Sequence, residues 1–224
     1  MDAETGKRAA GEAAAALVEG GMRVGLGTGT TARWFVIALA SRIRSGLQVA
    51  CVATSESTTR LARELGIAIE PLDRRGLDIA VDGADAVDPS LRLIKGGGGA
   101  MVREKIVAAA ARSFVVVVDD SKLFPVLPGK VPVELVAFGV DRTLAVLKST
   151  GGDFALREVD GALVQSDNGN LIADGHYASL DDPEGLSVRL DAVPGLVDHG
   201  LFLGMTDLLL VGHQDGGVER RSPR

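Results

Sequence analysis

The sequence contains a single cysteine, Cys51, among its 224 residues. One cysteine cannot form a disulfide within the chain, which argues against a secreted, disulfide-stapled protein. Cys51 lies in an apolar stretch, residues 49–53, where a buried core residue is commoner than a reactive thiol. We therefore expect neither a disulfide framework nor a catalytic cysteine.

An excess of basic residues and long apolar runs are also missing. The chain has 24 basic and 30 acidic residues, a net charge of −6, which argues against a nucleic-acid-binding protein that relies on a general basic surface. No apolar run reaches membrane-spanning length, and the N-terminus lacks the basic and then apolar segments of a secretory signal. We expect a soluble, cytoplasmic protein without nucleic-acid or membrane partners.

Histidine is scarce as well. His176, His199 and His213 lie far apart, with no metal-ligand spacing among themselves or with Cys51. We expect each to be a loop or hydrogen-bonding residue, and we expect no metal site.

Apolar residues make up 46% of the chain, with abundant alanine, valine, leucine and glycine. This composition is typical of an α/β protein with a buried parallel sheet. Strand patterns alternate with helical patterns along the first 118 residues. Strands are predicted at residues 23–26, 48–54, 67–69, 79–81 and 114–118. Helices are predicted at 3–18, 55–65 and 100–112, and another follows the turn at 27–31 and runs to about residue 44. The predicted fold class is α/β, a Rossmann-like, doubly wound and mostly parallel sheet.

Prolines 125, 128 and 132 mark a predicted domain boundary. A smaller inserted α+β domain is expected at 130–205, with strands at 131–136, 154–158 and 197–202, helices at 141–148 and 183–192, and a hairpin turn at Asn168-Gly169. Residues 207–211 are predicted to return to the first sheet, so the catalytic domain would comprise 1–129 and 206–224. We expect residues 219–224 to be frayed.

The most informative stretch begins at the strand 79–81, which ends in Asp82 and Asp85. In open α/β sheets, ligands bind at the carboxyl ends of the strands. Lys95 and a run of four glycines, residues 96–99, follow after a short connection. Because glycine has no side chain to block approach, the N–H groups of such a run can line a cradle for an anion or an oxyanion, although glycine-rich turns also arise for steric reasons.

Glu104 lies in the first turns of the helix that follows. The helix macrodipole alone can explain a carboxylate there. A carboxylate base near a lysine and backbone donors also suits the removal of a proton next to a carbonyl, because the donors stabilise the enediolate oxygen. We favour this functional interpretation. The helix is expected to turn Met101, Val102, Ile106, Ala109 and Ala110 toward the sheet.

A second glycine turn, residues 27–31, joins the strand 23–26 to a helix. The free N–H groups of the helix start and the hydroxyl groups of Thr28, Thr30 and Thr31 fit a phosphate. A dinucleotide fingerprint would need glycine in place of Thr30, and a P-loop would need a Gly-Lys-Ser/Thr ending. Two alternatives to a phosphate site stay open: a turn that binds a nicotinamide cofactor, which Glu56 would support, and a purely structural turn. A sugar phosphate fits the turn better than either.

Three motifs in this order resemble the signature of the type A ribose-5-phosphate isomerase family: Asp-Gly-Ala-Asp at 82–85, Lys-Gly-Gly-Gly-Gly-Ala at 95–100 and Arg-Glu-Lys at 103–105. The likeness covers nearly the whole chain, from residues 25–32 to Gly195 and residues 200–202. Several separated motifs in the right order are more specific than any one of them.

The resemblance implies interconversion of D-ribose 5-phosphate and D-ribulose 5-phosphate in the non-oxidative pentose phosphate pathway, without a metal or organic cofactor. Glu104 would be the base, Asp82 and Asp85 would handle hydroxyl protons and ring opening, and Lys95 would hold the oxyanion with the glycine backbone. The implied substrate-binding residues are Thr28, Gly29, Thr30, Thr31, Gly83, Ala84, Gly96, Gly97, Gly98 and Lys122. A homodimer or higher homo-oligomer is also implied.

The chain departs from the family pattern at a few positions. Ala86 stands where an acidic residue usually follows the Asp-Gly-Ala-Asp motif, and Thr30 replaces a frequent serine. Residues 130–134 look shorter than usual, and residues 174–177 differ from the usual segment after the hairpin. The differences at 130–134 and 174–177 concern the smaller domain more than the catalytic set.

The same general fold also serves as a sugar-phosphate-sensing domain in some transcription regulators. Fewer than thirty residues precede the phosphate turn, too few for a helix-turn-helix domain, and every candidate catalytic carboxylate is present. We therefore expect an enzyme.

Overall fold

The computed structural model describes residues 3–223, and within them six α-helices and fifteen strands. The helices are α1 Ala3–Ala16, α2 Thr30–Arg44, α3 Glu56–Glu64, α4 Met101–Ala109, α5 Val140–Leu147 and α6 Pro183–Asp191. The strands are β1 Arg23–Leu26, β2 Ala50–Ala53, β3 Ile79–Asp82, β4 Ala86–Val87, β5 Leu93–Ile94, β6 Phe114–Asp119, β7 Lys130–Leu135, β8 Asp153–Leu156, β9 Glu158–Val159, β10 Ala162–Leu163, β11 Leu171–His176, β12 Leu196–His199, β13 Leu201–Phe202, β14 Leu208–Gly212 and β15 Val218–Arg221. Across residues 3–223, no helix is both long and apolar enough to span a membrane.

The chain forms two compact units. Within the described residues, the first unit contains the chain up to Ala84, Arg103–Leu123 and the chain from Gly204 onward, and the second contains Asp85–Val102 and Phe124–Leu203. These bounds differ from the predicted domains, because residues 85–102 belong to the second unit. The reason is strand pairing: β4 pairs with β5, and β5 pairs with β13 near the end of that unit.

A six-stranded sheet with the order β15-β14-β6-β3-β1-β2 organises the first unit. Five neighbouring strands of this sheet, β2, β1, β3, β6 and β14, are parallel, and β15 is antiparallel at the edge. In chain order this is the doubly wound arrangement 2-1-3-4-5. Buried apolar residues of α1 and α2, such as Ala14 and Phe35, form one core with Val81 and Val117 of the sheet. The predicted α/β class and the return of β14 to this sheet are confirmed.

Three local predictions were wrong. Residues 67–69 form no strand, because Ile69 makes only an isolated bridge to Cys51 before the chain leaves the sheet. Residues 197–202 divide into β12 and β13, which belong to different sheets. The tail predicted to be frayed contains β15, whose charged residues suit an exposed edge strand. Arg224, the last residue of that prediction, lies outside the described residues.

The second unit contains a four-stranded antiparallel sheet, β12-β7-β11-β8, and the smaller sheets β13-β5-β4 and β10-β9. Its core includes Leu135, Phe154 and Leu190. The predicted Asn-Gly hairpin is confirmed, because Gln165 pairs antiparallel with Leu171 across it. Ala86, which departs from the family pattern, is a buried residue of β4 in this core.

Cys51 of β2 is completely buried in the core of the first unit. Burial, with a smaller effect from the charge of Glu70, raises the pKa of this thiol to about 12. At pH 8 roughly one thiol in 10,000 is therefore ionised, and only the thiolate is reactive. We expect the native protein to react negligibly with an aromatic disulfide reagent at pH 8. In denaturant, each chain should release one equivalent of the coloured aromatic thiolate from the reagent. Rapid stoichiometric labelling of the native protein would contradict this burial.

Candidate active site

In the first unit, the sheet order reverses at β1, which lies between β2 and β3. Such a switch point is where doubly wound sheets bind ligands. Asp82 ends β3 at this point and is buried. Its Oδ1 atom accepts hydrogen bonds from the N–H groups of Thr28, at 2.9 Å, and Gly83, at 2.7 Å. The carboxylate therefore ties the turn after β1 to the end of β3.

Gly27 lets this close approach occur. A Cβ atom on Gly27 would lie 2.2 Å from Oδ1 and 2.5 Å from Cα of Asp82. Because one of these atoms belongs to the backbone, a side-chain rotation cannot remove the clash. Glycine at position 27 is therefore needed for the Asp82 carboxylate to pack against the turn.

The Thr28 hydroxyl group faces a cluster of other hydroxyl groups. Its Oγ1 atom lies 2.7 Å from Thr54 Oγ1, 2.8 Å from Ser55 Oγ and 3.0 Å from Thr58 Oγ1. Thr54 and Thr58 donate their own protons to backbone carbonyl groups at the end of β1 and in the turn, each at 3.0 Å. Thr28 is therefore engaged through both its N–H and its hydroxyl group, an arrangement that sequence reasoning missed.

The outer part of the turn is open to a ligand. Gly29 has φ +120° and immediately precedes α2, and both Gly29 and Thr30 are exposed, whereas Thr31 is buried. The first N–H groups of an α-helix have no acceptor within the helix. The turn can therefore offer backbone donors to an anion.

Glu104 lies in the first turn of α4 and is only 6% exposed. Met101, Val107 and Ala108 are also buried, which places Glu104 on the buried face of the helix. The predicted face was wrong in part, because Ile106 is 53% exposed and Ala109 is exposed. The observed buried face differs from the predicted one because Met101, Glu104, Val107 and Ala108 recur at helical spacing, and this face includes the carboxylate. The macrodipole alone does not account for such burial.

Arg103, next to Glu104, donates from Nη1 to Glu56 Oε1 at 3.0 Å. The glutamate that would have supported a nicotinamide cofactor therefore forms an ion pair with α4.

Lys122 is the last residue of a short 3₁₀ helix, Asp120–Lys122, directly after β6. The Asp119 carboxylate caps this helix by accepting the N–H of Ser121 at 3.0 Å. Lys122 is thereby held, half-buried, at the carboxyl end of the strand beside β3.

In the second unit, Lys95 follows β5 and is buried. Its N–H group donates to the Gly200 carbonyl at 2.9 Å, and its ammonium lies 5.5 Å from the centre of the Phe202 ring. The ring face attracts the cation. A Cβ atom on Gly200 would lie 2.2 Å from the Lys95 carbonyl oxygen. Residues 200–202 therefore support the lysine.

The glycine run after Lys95 is held at several points. The Gly97 N–H donates to Asp85 Oδ2 at 2.7 Å, and the Gly99 N–H donates to the Gly96 carbonyl at 3.0 Å. Gly97 and Gly98 are exposed, and the N–H of Gly98 forms no hydrogen bond to any residue from 3 to 223. The carbonyl groups of Gly96 and Gly97 both accept from Arg157, each at 2.9 Å. No motif pointed to Arg157, because it lies about sixty residues away in the chain.

Comparison with known proteins places the chain in a family. The family described as ribose 5-phosphate isomerase A (phosphoriboisomerase A) matches residues 50–216. The ribose-5-phosphate isomerase A of Caulobacter vibrioides is 48% identical over 232 aligned positions, which cover 100% of both chains. That of Sinorhizobium fredii is 46% identical, covering 96% of this chain and 97% of the relative.

The chain belongs to the ribose-5-phosphate isomerase A family. Solved family structures share its fold. A Plasmodium falciparum ribose 5-phosphate isomerase is 33% identical with a TM-score of 0.93, covering 98% of each chain. The isomerase A of Methanocaldococcus jannaschii is 38% identical with a TM-score of 0.93, covering 99% of this chain and 100% of the other. A D-ribose-5-phosphate isomerase in complex with phospho-erythronic acid is 35% identical with a TM-score of 0.94, again covering 99% and 100%.

The predicted isomerase residues divide between the two units. The structure brings Asp82 together with Thr28 and Gly83, and separately brings Asp85 together with Gly97. The first unit contains Thr28, Gly29, Thr30, Thr31, Asp82, Gly83, Ala84, Glu104 and Lys122, and the second contains Asp85, Lys95, Gly96, Gly97 and Gly98.

Among residues 3–223, Asp191, Asp198 and His199 place potential metal-ligand atoms within 4.8 Å of one another. The His199 Nδ1 atom accepts the N–H of Leu201 at 3.2 Å, and Nε2 lies 3.0 Å from Ser187 Oγ and 3.3 Å from Asp191 Oδ1. The geometry is that of a hydrogen-bonding histidine. Sequence spacing missed this grouping because the fold brings α6 beside β12.

Proposed function

We propose that Glu104 is the base with which this protein interconverts D-ribose 5-phosphate and D-ribulose 5-phosphate. As a member of its family, the chain is an aldose-ketose isomerase of the pentose phosphate pathway. Glu104 removes the proton from C2 of the open-chain aldose, next to the C1 carbonyl, which leaves an enediolate. Return of the proton to C1 gives the ketose. The observation that carries this role is a carboxylate on the buried face of α4, in its first turn.

The other carboxylates serve the hydroxyl protons. In this proposal Asp82 and Asp85 assist ring opening and move protons between the substrate oxygens. Asp82 already accepts two backbone N–H groups and Asp85 accepts one, and these hydrogen bonds help to orient the carboxylates. Lys95 and the glycine backbone stabilise the negative oxygen of the enediolate, as prearranged donors do most effectively.

The remaining predicted residues position the substrate. The first N–H groups of α2, at Thr30 and Thr31, receive the phosphate in this proposal, and Lys122 supplies positive charge. Gly83 and Ala84 follow β3, and their backbone contacts the substrate chain. Binding at a remote phosphate holds the reacting carbon atoms in place.

The test is turnover by the purified protein after treatment with a chelator. We expect ribulose 5-phosphate to form at the untreated rate. We also expect phospho-erythronic acid, present in one solved family member, to inhibit competitively, since its carboxylate carries two oxygens as the enediolate does. Sugar-phosphate binding without turnover would favour the sensor function instead. A protein that neither binds nor converts the substrate would contradict the proposal.

We also propose a homo-oligomer, a dimer at least, that acts in the cytoplasm. Family resemblance supports the assembly, as does Phe138 of the second unit, a residue that is 92% exposed. Aromatic residues are enriched at protein interfaces. Mass measurement by light scattering tests the assembly, and a monomer at micromolar concentration would contradict it. The cytoplasmic location is supported by the phosphorylated substrate of the pathway. Fractionation of source cells tests this location.

A further inference from the structure

Arg157 follows β8 in the second unit, and its side chain is only 12% exposed. The guanidinium meets the Asp174 carboxylate as a fork: Nε lies 2.9 Å from Oδ2 and Nη2 lies 2.5 Å from Oδ1. The remaining nitrogen, Nη1, donates to the carbonyl oxygens of Gly96 and Gly97, each at 2.9 Å. One largely buried cation therefore joins a carboxylate to two successive peptide groups of the glycine run.

The Asp174 carboxylate of the fork is charged at neutral pH. Burial alone would raise the pKa of Asp174, but the hydrogen bonds and charges of Arg157, with those of Lys130, hold the pKa below its ordinary value. Lys130 Nζ lies 3.2 Å from the same carboxylate. A two-point pair of this kind fixes the plane of the guanidinium, which a lysine ammonium cannot reproduce.

The glycine run needs such an external hold. Gly96 has φ +101° and Gly99 has φ +80°, and glycine adopts many other backbone angles at little cost. Donors on a mobile loop would have to be ordered during each reaction cycle. Donors that are already oriented lower the barrier without that reorganisation.

The contacts of Arg157 determine where the peptide N–H groups point. A trans peptide is planar, so its C=O and N–H point in opposite directions. With the Gly96 carbonyl directed at Arg157, the Gly97 N–H points away from it and meets Asp85 Oδ2 at 2.7 Å. With the Gly97 carbonyl also directed at Arg157, the Gly98 N–H points away as well. Gly98 is exposed, and its N–H donates to no residue between 3 and 223.

We propose that Arg157 is a positioning residue that aims the Gly98 N–H at the enediolate oxygen. This inference rests on the proposed function and adds two details to it. The Gly97 N–H holds Asp85, and the Gly98 N–H is the donor to the substrate. The positive charge at the Gly97 carbonyl also polarises that peptide, which strengthens its N–H as a donor.

Arg157→Lys is the decisive variant, because it keeps the charge and removes the fork. We expect kcat to fall about 100-fold, the loss typical of one misplaced oxyanion donor, with KM changed less than about threefold. The amide resonance of Gly98 should shift in the NMR spectrum of the variant. Asp174→Asn releases the guanidinium from the other side, and we expect a fall in kcat of about 10-fold, again without a matching change in KM.

Arg92→Lys is the matched control. Arg92 forms an ion pair with buried Asp88 in the same unit, with Nε 2.6 Å from Oδ2, and donates to no glycine of the run. We expect its kcat to stay within about twofold of the wild type, because it tests only the loss of a partly buried ion pair. An equal loss in both arginine variants would overturn the proposal, since the effect would then be general.

The outcomes separate this inference from the proposed function. An inactive wild-type protein would contradict the isomerase mechanism itself. An active wild type with a folded Arg157→Lys variant of normal kcat, or one altered only in KM, would overturn the role of Arg157. If Arg157→Lys does not fold, Asp174→Asn decides by the same kcat criterion.

Discussion

Replacing Glu104 with glutamine should lower kcat by about 10⁴-fold, the upper end of the range for general-base catalysis, because one group moves the proton both from C2 and to C1. Glutamine has the same shape but accepts no proton. The buried face of α4 should stay packed, so KM and the thermal midpoint should change little. Ketose formation and thermal unfolding measure the two effects.

Glu56→Gln provides the control for this variant. Glu56 is exposed, and its ion pair with Arg103 is typical of surface pairs that contribute little. We expect wild-type turnover from it. A Glu104→Gln variant that keeps more than a tenth of the normal rate would remove Glu104 from the role of base.

Gly27→Ala should damage both stability and activity. The new Cβ atom would meet the Asp82 carboxylate at 2.2 Å and the Asp82 Cα at 2.5 Å. Relief requires backbone movement, which costs about 1–3 kcal/mol for an overpacked site. Since Asp82 would move away from the N–H of Thr28, we also expect kcat/KM to fall about 100-fold, the scale of loss for small errors of position.

Gly20→Ala is the matched control, because a Cβ atom there meets no heavy atom within 4 Å. We expect its thermal midpoint and turnover to equal those of the wild type. For Gly27→Ala, a loss of about 2 kcal/mol corresponds to a midpoint about 4–8 °C lower in a chain of this size. A Gly27→Ala protein with normal midpoint and normal turnover would show that the turn is not packed against Asp82.

Several features of the fold could be predicted because their signals are local. The valines of β6 and the alternation of strands and helices predicted the doubly wound sheet, and Asn168-Gly169 predicted its hairpin. The edge strand β15 could not be predicted in this way. Its charged residues resemble a solvated tail, and only pairing with β14 makes them a strand.

The candidate site divides along the same line. Local sequence signals mark Asp82, Asp85, Lys95 and Glu104, because each lies close in sequence to a strand end or a glycine run. Their roles remain predictions. The face of α4 was assigned wrongly in part, because alanine and isoleucine spacing fits more than one helical face. Arg157 had no local signal at all.

From the sequence alone follow the fold class and the family, because periodicity and short motifs act over a few neighbours. The acid-base roles of Asp82, Asp85, Lys95 and Glu104 are predictions from the same short motifs. Tertiary structure alone decided which groups are already engaged. In the folded chain the Thr28 hydroxyl group points toward a cluster of other hydroxyl groups, and the Gly97 N–H donates to Asp85. Folding also brings Arg157 within hydrogen-bonding distance of the carbonyl groups of Gly96 and Gly97. The physical reason is that a hydrogen bond depends on distance in space, and these partners lie between twelve and about sixty residues apart in the chain.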